Sequence, residues 1–280
     1  MSVQKKKRML GLLGLFTLLV VFLSGCSTKP VTANSTGFWD HYIVWNFSRA
    51  IVWLSDLFNG SYGVGIIIFT IIIRVIILPL MQYQMNSSRK MMDIQPQMKA
   101  LQTKYSSRDI DTQQKLQAEM SKLYKDAGVH PFASMLPLLV QMPVLIALYQ
   151  AIQRTSVLRS GTFLWMELGH SDPYFILPIL AALFTFATSK LTMMGQVQQS
   201  GFQSALMVWG MPIMILFMAI SLPSALAVYW VVTNAFSVGQ TLLLMNPFKL
   251  RAEREAKERK KRKLQRQLAK ARRGKKRKRK

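Results

Sequence analysis

The sequence predicts an all-α polytopic membrane protein: five transmembrane helices around a hydrophilic groove open to the cytoplasm, a cytoplasmic helical hairpin and an interfacial amphipathic helix. Three observations carry that expectation. Half of the 280 residues are hydrophobic, yet the formal net charge is +25. The two properties segregate, with Lys and Arg concentrated in residues 5–8, 89–125 and 249–280. Between them lie apolar runs approaching the roughly 20 residues that cross a hydrocarbon core of about 30 Å. Arg74 stands deep inside such a run.

Several chemistries are disfavoured at once. The single cysteine excludes an internal disulfide, and His41, His130 and His170 are too scattered to suggest a metal site. The sequence carries no Gly-rich phosphate loop and no nucleophile elbow, so no cofactor and no enzymatic reaction are expected. His170 and Asp172 read as a wet surface pair in a loop rather than a catalytic dyad.

Taken in order, Lys5, Lys6, Lys7 and Arg8 form a positive n-region ahead of a 15-residue apolar stretch over 9–23. That suits a signal peptide better than a full span. It ends in Leu23-Ser24-Gly25-Cys26, which resembles the bacterial lipoprotein box. On that reading residues 1–25 are removed and Cys26 is lipidated, palmitate being one such acyl group; an uncleaved anchor with an incidental cysteine is the competing reading. Residues 26–60 then form an extracytoplasmic linker and, over 38–58, a helix mixing Trp39, Trp45, Phe47, Trp53 and Phe58 with Asp40, Arg49 and Asp56. Such a helix lies in the interface with its rings at headgroup level.

Five apolar segments follow, at 61–81, 132–153, 173–191, 205–221 and 223–245. Orientation comes from the connections, because basic loops stay in the cytoplasm. The 82–131 connection carries eight Lys and Arg and the 246–280 tail nineteen, against only Arg154 and Arg159 in the 154–172 loop. Five spans from an outside start place the 82–131 hairpin, the 192–204 loop and the tail inside, in agreement with a bacterial cell-membrane lipoprotein. Within the hairpin, Met91, Ile94, Met98, Leu101 and Tyr105 recur at three- and four-residue spacing. Leu116, Met120, Leu123 and Ala127 repeat the pattern after a polar break at 106–109. Two antiparallel helices zipped along these seams, or an amphipathic pair resting on lipid, both fit.

Arg74 costs about 2.5–3.5 kcal/mol at a helix centre on insertion scales. No acidic residue falls inside any of the five apolar segments. A hydrated cavity open to the cytoplasm answers that need; hydrogen bonds to backbone carbonyls are the alternative. Thr70 shares the Arg74 face, Gln141 lies in the second span, and Tyr229, Trp230, Thr233 and Asn234 form polar stripes in the fifth.

These residues also carry a family resemblance. Pro137-Leu-Leu-Val-Gln141-Met142-Pro143-Val-Leu-Ile-Ala147-Leu-Tyr149, the Thr70 and Arg74 pair, and Leu222-Pro223-Ser224-Ala225-Leu-Ala-Val-Tyr229-Trp230 with Asn234 resemble the YidC-type membrane protein insertases. The likeness covers about 62–248, and the lipobox and basic tail are similar to the Gram-positive lipoprotein form. The long basic tail leans toward the second paralogue type. Ala225 departs from the pattern, since many members have Gly there.

The resemblance implies an insertase and chaperone for integral membrane proteins, with nascent membrane proteins as substrates, working alone or beside the Sec translocon. It implies a groove lined by Arg74, Thr70, Gln141, Tyr229, Trp230, Thr233 and Asn234, and a substrate slide at Met142, Pro143, Leu145 and Pro223. A small-solute transporter using Arg74 as an anion site and a passive scaffold are the other function classes; the lack of an obvious internal repeat counts against the first. The tail cations Lys260, Lys261, Arg262, Lys263, Arg272, Arg273, Lys275, Lys276 and Arg277 suit ribosomal RNA, anionic lipid or topology alone. The resemblance favours the ribosome.

Overall fold

The computed structural model describes residues 29–107, 109–129, 135–194 and 201–277. Cys26 and the signal-peptide region 1–25 lie outside the described residues. The chain divides into two compact units, one from residues up to 77, 135–181 and 215–233, the other from 78–134, 182–214 and 234–280.

The first unit opens with a π-helical turn, Trp39–Val44, running into α1 (Trp45–Asp56). Val44, Ser48, Ile51, Leu54 and Ser55 are buried at helical spacing, while Phe38, Tyr42, Trp53 and Phe58 are exposed. One face of the segment is therefore packed; of the rings expected at headgroup level, Trp39, Trp45 and Phe47 lie against buried residues and Trp53 and Phe58 are exposed. α1 lies against the start of α2 (Tyr62–Lys104) at a glycine: a Cβ on Gly65 would sit 2.1 Å from Ser55 Oγ and 2.8 Å from the Ile51 carbonyl. Only a missing side chain allows that approach.

α2 runs without a break from the expected first span into the expected first hairpin arm. It is one 43-residue helix with Pro79 and Pro96 inside it. Each proline removes one main-chain hydrogen bond, and here neither ends the helix.

The second long apolar helix of this unit is α4 (Leu136–Arg154). One face of its second half is buried, with Ala147, Leu148, Ala151 and Ile152 at 1% exposure or less, whereas Tyr149 and, in the first half, Leu138, Leu139 and Met142 are exposed. At its last residue Arg154 donates from Nη1 and Nη2 to the two carboxylate oxygens of Asp40 at 2.8 and 2.6 Å, and from Nε to the Lys29 carbonyl at 2.7 Å. The Arg154 and Asp40 side chains are 6% and 14% exposed. A forked guanidinium–carboxylate pair is the strong form of this contact. Removing one partner of such a buried pair typically costs about 3–5 kcal/mol.

The connection after α4 is folded by its own polar groups. A short helix α5 (Ser156–Arg159) leads to a two-stranded antiparallel hairpin, β1 (Thr162–Phe163) and β2 (Met166–Glu167). His170 pairs with Glu167 at 2.8 Å, not with Asp172. Asp172 is buried, which corrects the wet pair expected from sequence. Its carboxylate accepts from the Trp165 indole at 2.9 Å and from the amides of Tyr174 and Leu177 at 3.1 and 2.7 Å. Burial alone would raise its pKa, but these donors outweigh burial and hold it below the ordinary carboxylate value. The unit is completed by the start of α6 (Ile176–Met194), the end of α8 (Met211–Ile220) and most of α9 (Ser224–Gln240). α9 is tied to the loop: the Ser224 and Ala225 amides donate to the carbonyls of His170 and Leu168 at 2.6 and 3.1 Å. Ala225 is fully buried in the core with Ile51, Ile66, Leu148, Leu158 and Tyr229.

In the second unit α3 (Ile110–Asp126) is capped by Asp109, whose carboxylate accepts from the Thr112 amide at 2.8 Å. Hydrogen bonds from Ser107 and Thr112 lower its pKa to about 2. The seam expected from sequence is seen in burial: Ile94 is buried, Met91, Met98, Leu101, Tyr105, Leu116, Met120, Leu123 and Ala127 are half-buried, and most positions between them are exposed. Leu101 of α2 and Leu123 of α3 line one groove. α10 (Pro247–Arg277) is one continuous helix, and its Arg254 meets Asp93 of α2 at 3.4 Å.

Four helices are long and apolar enough to cross a membrane, Tyr62–Lys104, Leu136–Arg154, Ile176–Met194 and Ser224–Met245, and Leu206–Ile220 is a shorter apolar helix. Helix α7 (Gly201–Ala205) precedes the shorter one directly, and the stretch 201–220 then rises roughly 30 Å at 1.5 Å per residue.

Asp172→Ala strands three donors and is expected to lower stability by about 1–3 kcal/mol, measured as thermal unfolding in detergent. Because the folded carboxyl has the lower pKa, the wild-type contribution is complete above the unfolded value near 4 and is lost as pH falls through the folded value. The variant's deficit should shrink over that same acidic window.

Candidate functional site

Arg74 lies midway along the apolar part of α2 and is half-buried. Its Nη2 donates to Gln141 Oε1 of α4 at 3.2 Å. Gln141 Nε2 in turn donates to the hydroxyl oxygen of Tyr229 on α9, and Tyr229 is buried. The direction of this chain is fixed by chemistry. A guanidinium only donates, so the amide oxygen must face it, and the amide nitrogen is left to meet the phenol. Among the described residues no carboxylate pairs with Arg74, and its remaining N–H groups have no protein acceptor.

The other predicted groove residues divide. Thr70 is fully buried and its hydroxyl donates to the Ile66 carbonyl of its own helix at 2.7 Å. It packs the Arg74 helix rather than offering a donor outward. Trp230 is half-buried and Thr233 buried, both on the Tyr229 helix. Asn234 falls in the second unit, where its carbonyl accepts from the Thr188 hydroxyl at 3.5 Å.

Of the predicted slide, Met142 is 42% exposed beside Leu138 and Leu139 at 56% and 60%. Pro143 and Leu145 are half-buried, and Leu145 packs on the core. The half-buried Pro223 opens α9, its carbonyl accepting from the amides of Leu226 and Ala227 at 2.9 and 3.2 Å. Lys260, Lys261, Arg262 and Lys263 are exposed on α10, and Arg272, Arg273, Lys275, Lys276 and Arg277 fall on its last turns.

Sequence reasoning missed the Arg154–Asp40 pair, having read both residues only as loop or interfacial charge. An acidic residue in the first turn of an aromatic helix and an arginine in the last turn of a span were the available signal, since each complements its own helix dipole.

The family profile described as "60Kd inner membrane protein" matches residues 53–253. The chain belongs to the YidC family of membrane protein insertases. It is 59% identical over 254 residues to "Membrane protein insertase YidC 2" of Lactiplantibacillus plantarum, covering 91% of each chain. It is 57% identical over 240 residues to "Membrane protein insertase YidC 2" of Listeria innocua, covering 85% of this chain and 83% of that one. The solved structure titled "Active YidC insertase crystal structure with the first transmembrane domain resolved" superimposes with a TM-score of 0.55 at 28% identity. That match covers 74% of this chain, which spans only 47% of the solved chain. Family membership together with four long apolar helices makes the chain a multi-pass membrane protein.

Tyr229→Phe removes one acceptor and should cost about 1 kcal/mol, whereas Gln141→Leu strips Arg74 of its protein acceptor and should cost about 1.5–3 kcal/mol. Thermal unfolding of both variants in detergent checks the order.

Proposed function

We propose that this chain inserts and chaperones integral membrane proteins by receiving the polar translocated end of a substrate at Arg74. The single observation that carries this reading is a guanidinium in an apolar helix with one N–H group committed to Gln141 and, among the described residues, no carboxylate beside it. Such a group attracts the acidic residues or terminal carboxylate of a short polar segment, and the hydrated groove around it lowers the cost of carrying that segment into the bilayer. As the substrate's apolar helix leaves along Met142, Pro143, Leu145 and Pro223 into lipid, hydrophobic transfer supplies the driving force. No nucleotide hydrolysis is required.

The same reading places Cys26 as a lipid anchor outside and the tail in the cytoplasm, supported by the excess of Lys and Arg in 82–131 and 246–280. The exposed cations of α10 suit ribosomal RNA, with anionic lipid as a second polyanion, and the insertase works alone or beside the Sec translocon.

Reconstitution in liposomes with a single-span substrate bearing an acidic amino terminus tests the core of this proposal. Arg74→Ala should lower insertion at least tenfold, Arg74→Lys should retain part, and a substrate with a neutral terminus should depend less on the charge. Wild-type insertion of the acidic substrate by Arg74→Ala would refute the charge mechanism. For the tail, a chain ending at Phe248 should lose most of its salt-sensitive co-sedimentation with ribosomes; undiminished binding would exclude the tail as the main contact.

A further inference from the structure

The two ends of α4 are held very differently. Its outer end is fixed by the Arg154 fork on Asp40 and by Arg154 Nε on the Lys29 carbonyl. The Val31 amide donates to the Arg154 carbonyl at 3.0 Å. Two further contacts join the same segments: the Trp39 indole donates to Gln150 at 2.8 Å, and the Ser48 and Thr155 hydroxyls bond at 2.8 Å. Val31, Val44 and Ala151 form a buried apolar cluster among these contacts. Among the described residues the inner end has no ion pair, and its side-chain hydrogen bonds are those of Gln141 to Arg74 and Tyr229. Leu138, Leu139 and Met142 are exposed, and Pro143 deprives the Leu139 carbonyl of its helical donor. Gln141, the partner of Arg74, sits on that side, held by neutral hydrogen bonds and not by an ion pair, 13 residues or roughly 20 Å along the axis from Arg154.

We infer that Asp40 and Arg154 are positioning residues for insertion: their buried ion pair pins the outer half of α4 to the interfacial helix, so that only the half before Pro143 yields to a substrate. This rests on the insertase reading above. The clamp keeps the extracytoplasmic end packed while Gln141 moves with the inner half and exchanges its bond to Arg74 for the incoming polar segment. Arg154 contributes no charge to substrate recognition, because Asp40 neutralises it. The two arginines therefore differ in role by their partners alone.

Full-length protein in liposomes, followed by hydrogen–deuterium exchange and by insertion of a single-span substrate, tests the clamp. Asp40→Asn and Arg154→Gln should each raise amide exchange at least tenfold over 39–56 and 147–155, leave 224–240 unchanged, and slow insertion several-fold. The charge swap Asp40→Arg with Arg154→Asp should recover part of both losses, a rescue that mere loss of packing would not give. Arg154→Lys, which keeps the charge but loses the fork, should be intermediate and covers the case in which the harsher variants fail to fold. Pro143→Ala should protect 136–146 and slow insertion without altering exchange over 39–56. Unchanged exchange in both single variants overturns the clamp, as does raised exchange with wild-type insertion. A wild-type protein that inserts nothing would refute the insertase reading instead, and the exchange pattern would still decide whether the pair pins α4.

Discussion

A guanidinium cannot be neutralised at any ordinary pH, and it can donate hydrogen bonds but never accept one. Placed at Arg74 in an apolar helix, it obliges the rest of the structure to supply acceptors or water. Gln141 supplies an amide oxygen, and its nitrogen must then find an acceptor of its own, which Tyr229 provides from the buried face of α9. One charge thus sets the relative placement of α2, α4 and α9 through a chain of obligations. Replacing all three residues by apolar ones would relieve every obligation and remove the polar centre.

The contrast with Arg154 shows what a partner changes. Both arginines occur in or at the end of apolar helices, and both are desolvated to a degree. Arg154 spends its fork on a carboxylate and its Nε–H on a carbonyl, so it behaves as a structural rivet. Arg74 spends one N–H on a neutral amide and keeps its full charge. A field that is not cancelled locally extends through a medium of low dielectric.

Much of this was legible in the sequence where the signal is local. The apolar runs gave the long helices, and the three- and four-residue recurrence of Ile94, Leu101, Leu116 and Leu123 gave the hairpin seam, because burial follows helical period. Arg74, Gln141 and Tyr229 stood out as polar side chains in apolar stretches. What stayed hidden depends on partners far along the chain or on small energetic margins. The continuity of α2 past 81 was not legible, since the main-chain bonds lost at Pro79 and Pro96 are outweighed within the helix. Thr70 shares a face with Arg74, but its hydroxyl finds the Ile66 carbonyl one turn back, the usual fate of threonine in a helix. Asp172 looked wet because sequence shows the acid and not the three donors that gather around it.

The Asp40–Arg154 contact joins residues 114 positions apart. At bacterial rates of about 5–20 residues per second, the acid is joined to the chain roughly 6–23 s before its partner. During that interval the interfacial helix has no cation from α4 to receive its carboxylate. The end of α4 that carries Arg154 therefore locks onto Asp40 only once 154 residues have been made, and a newborn copy passes through a stage in which α1 rests on its close approach to α2 at Gly65.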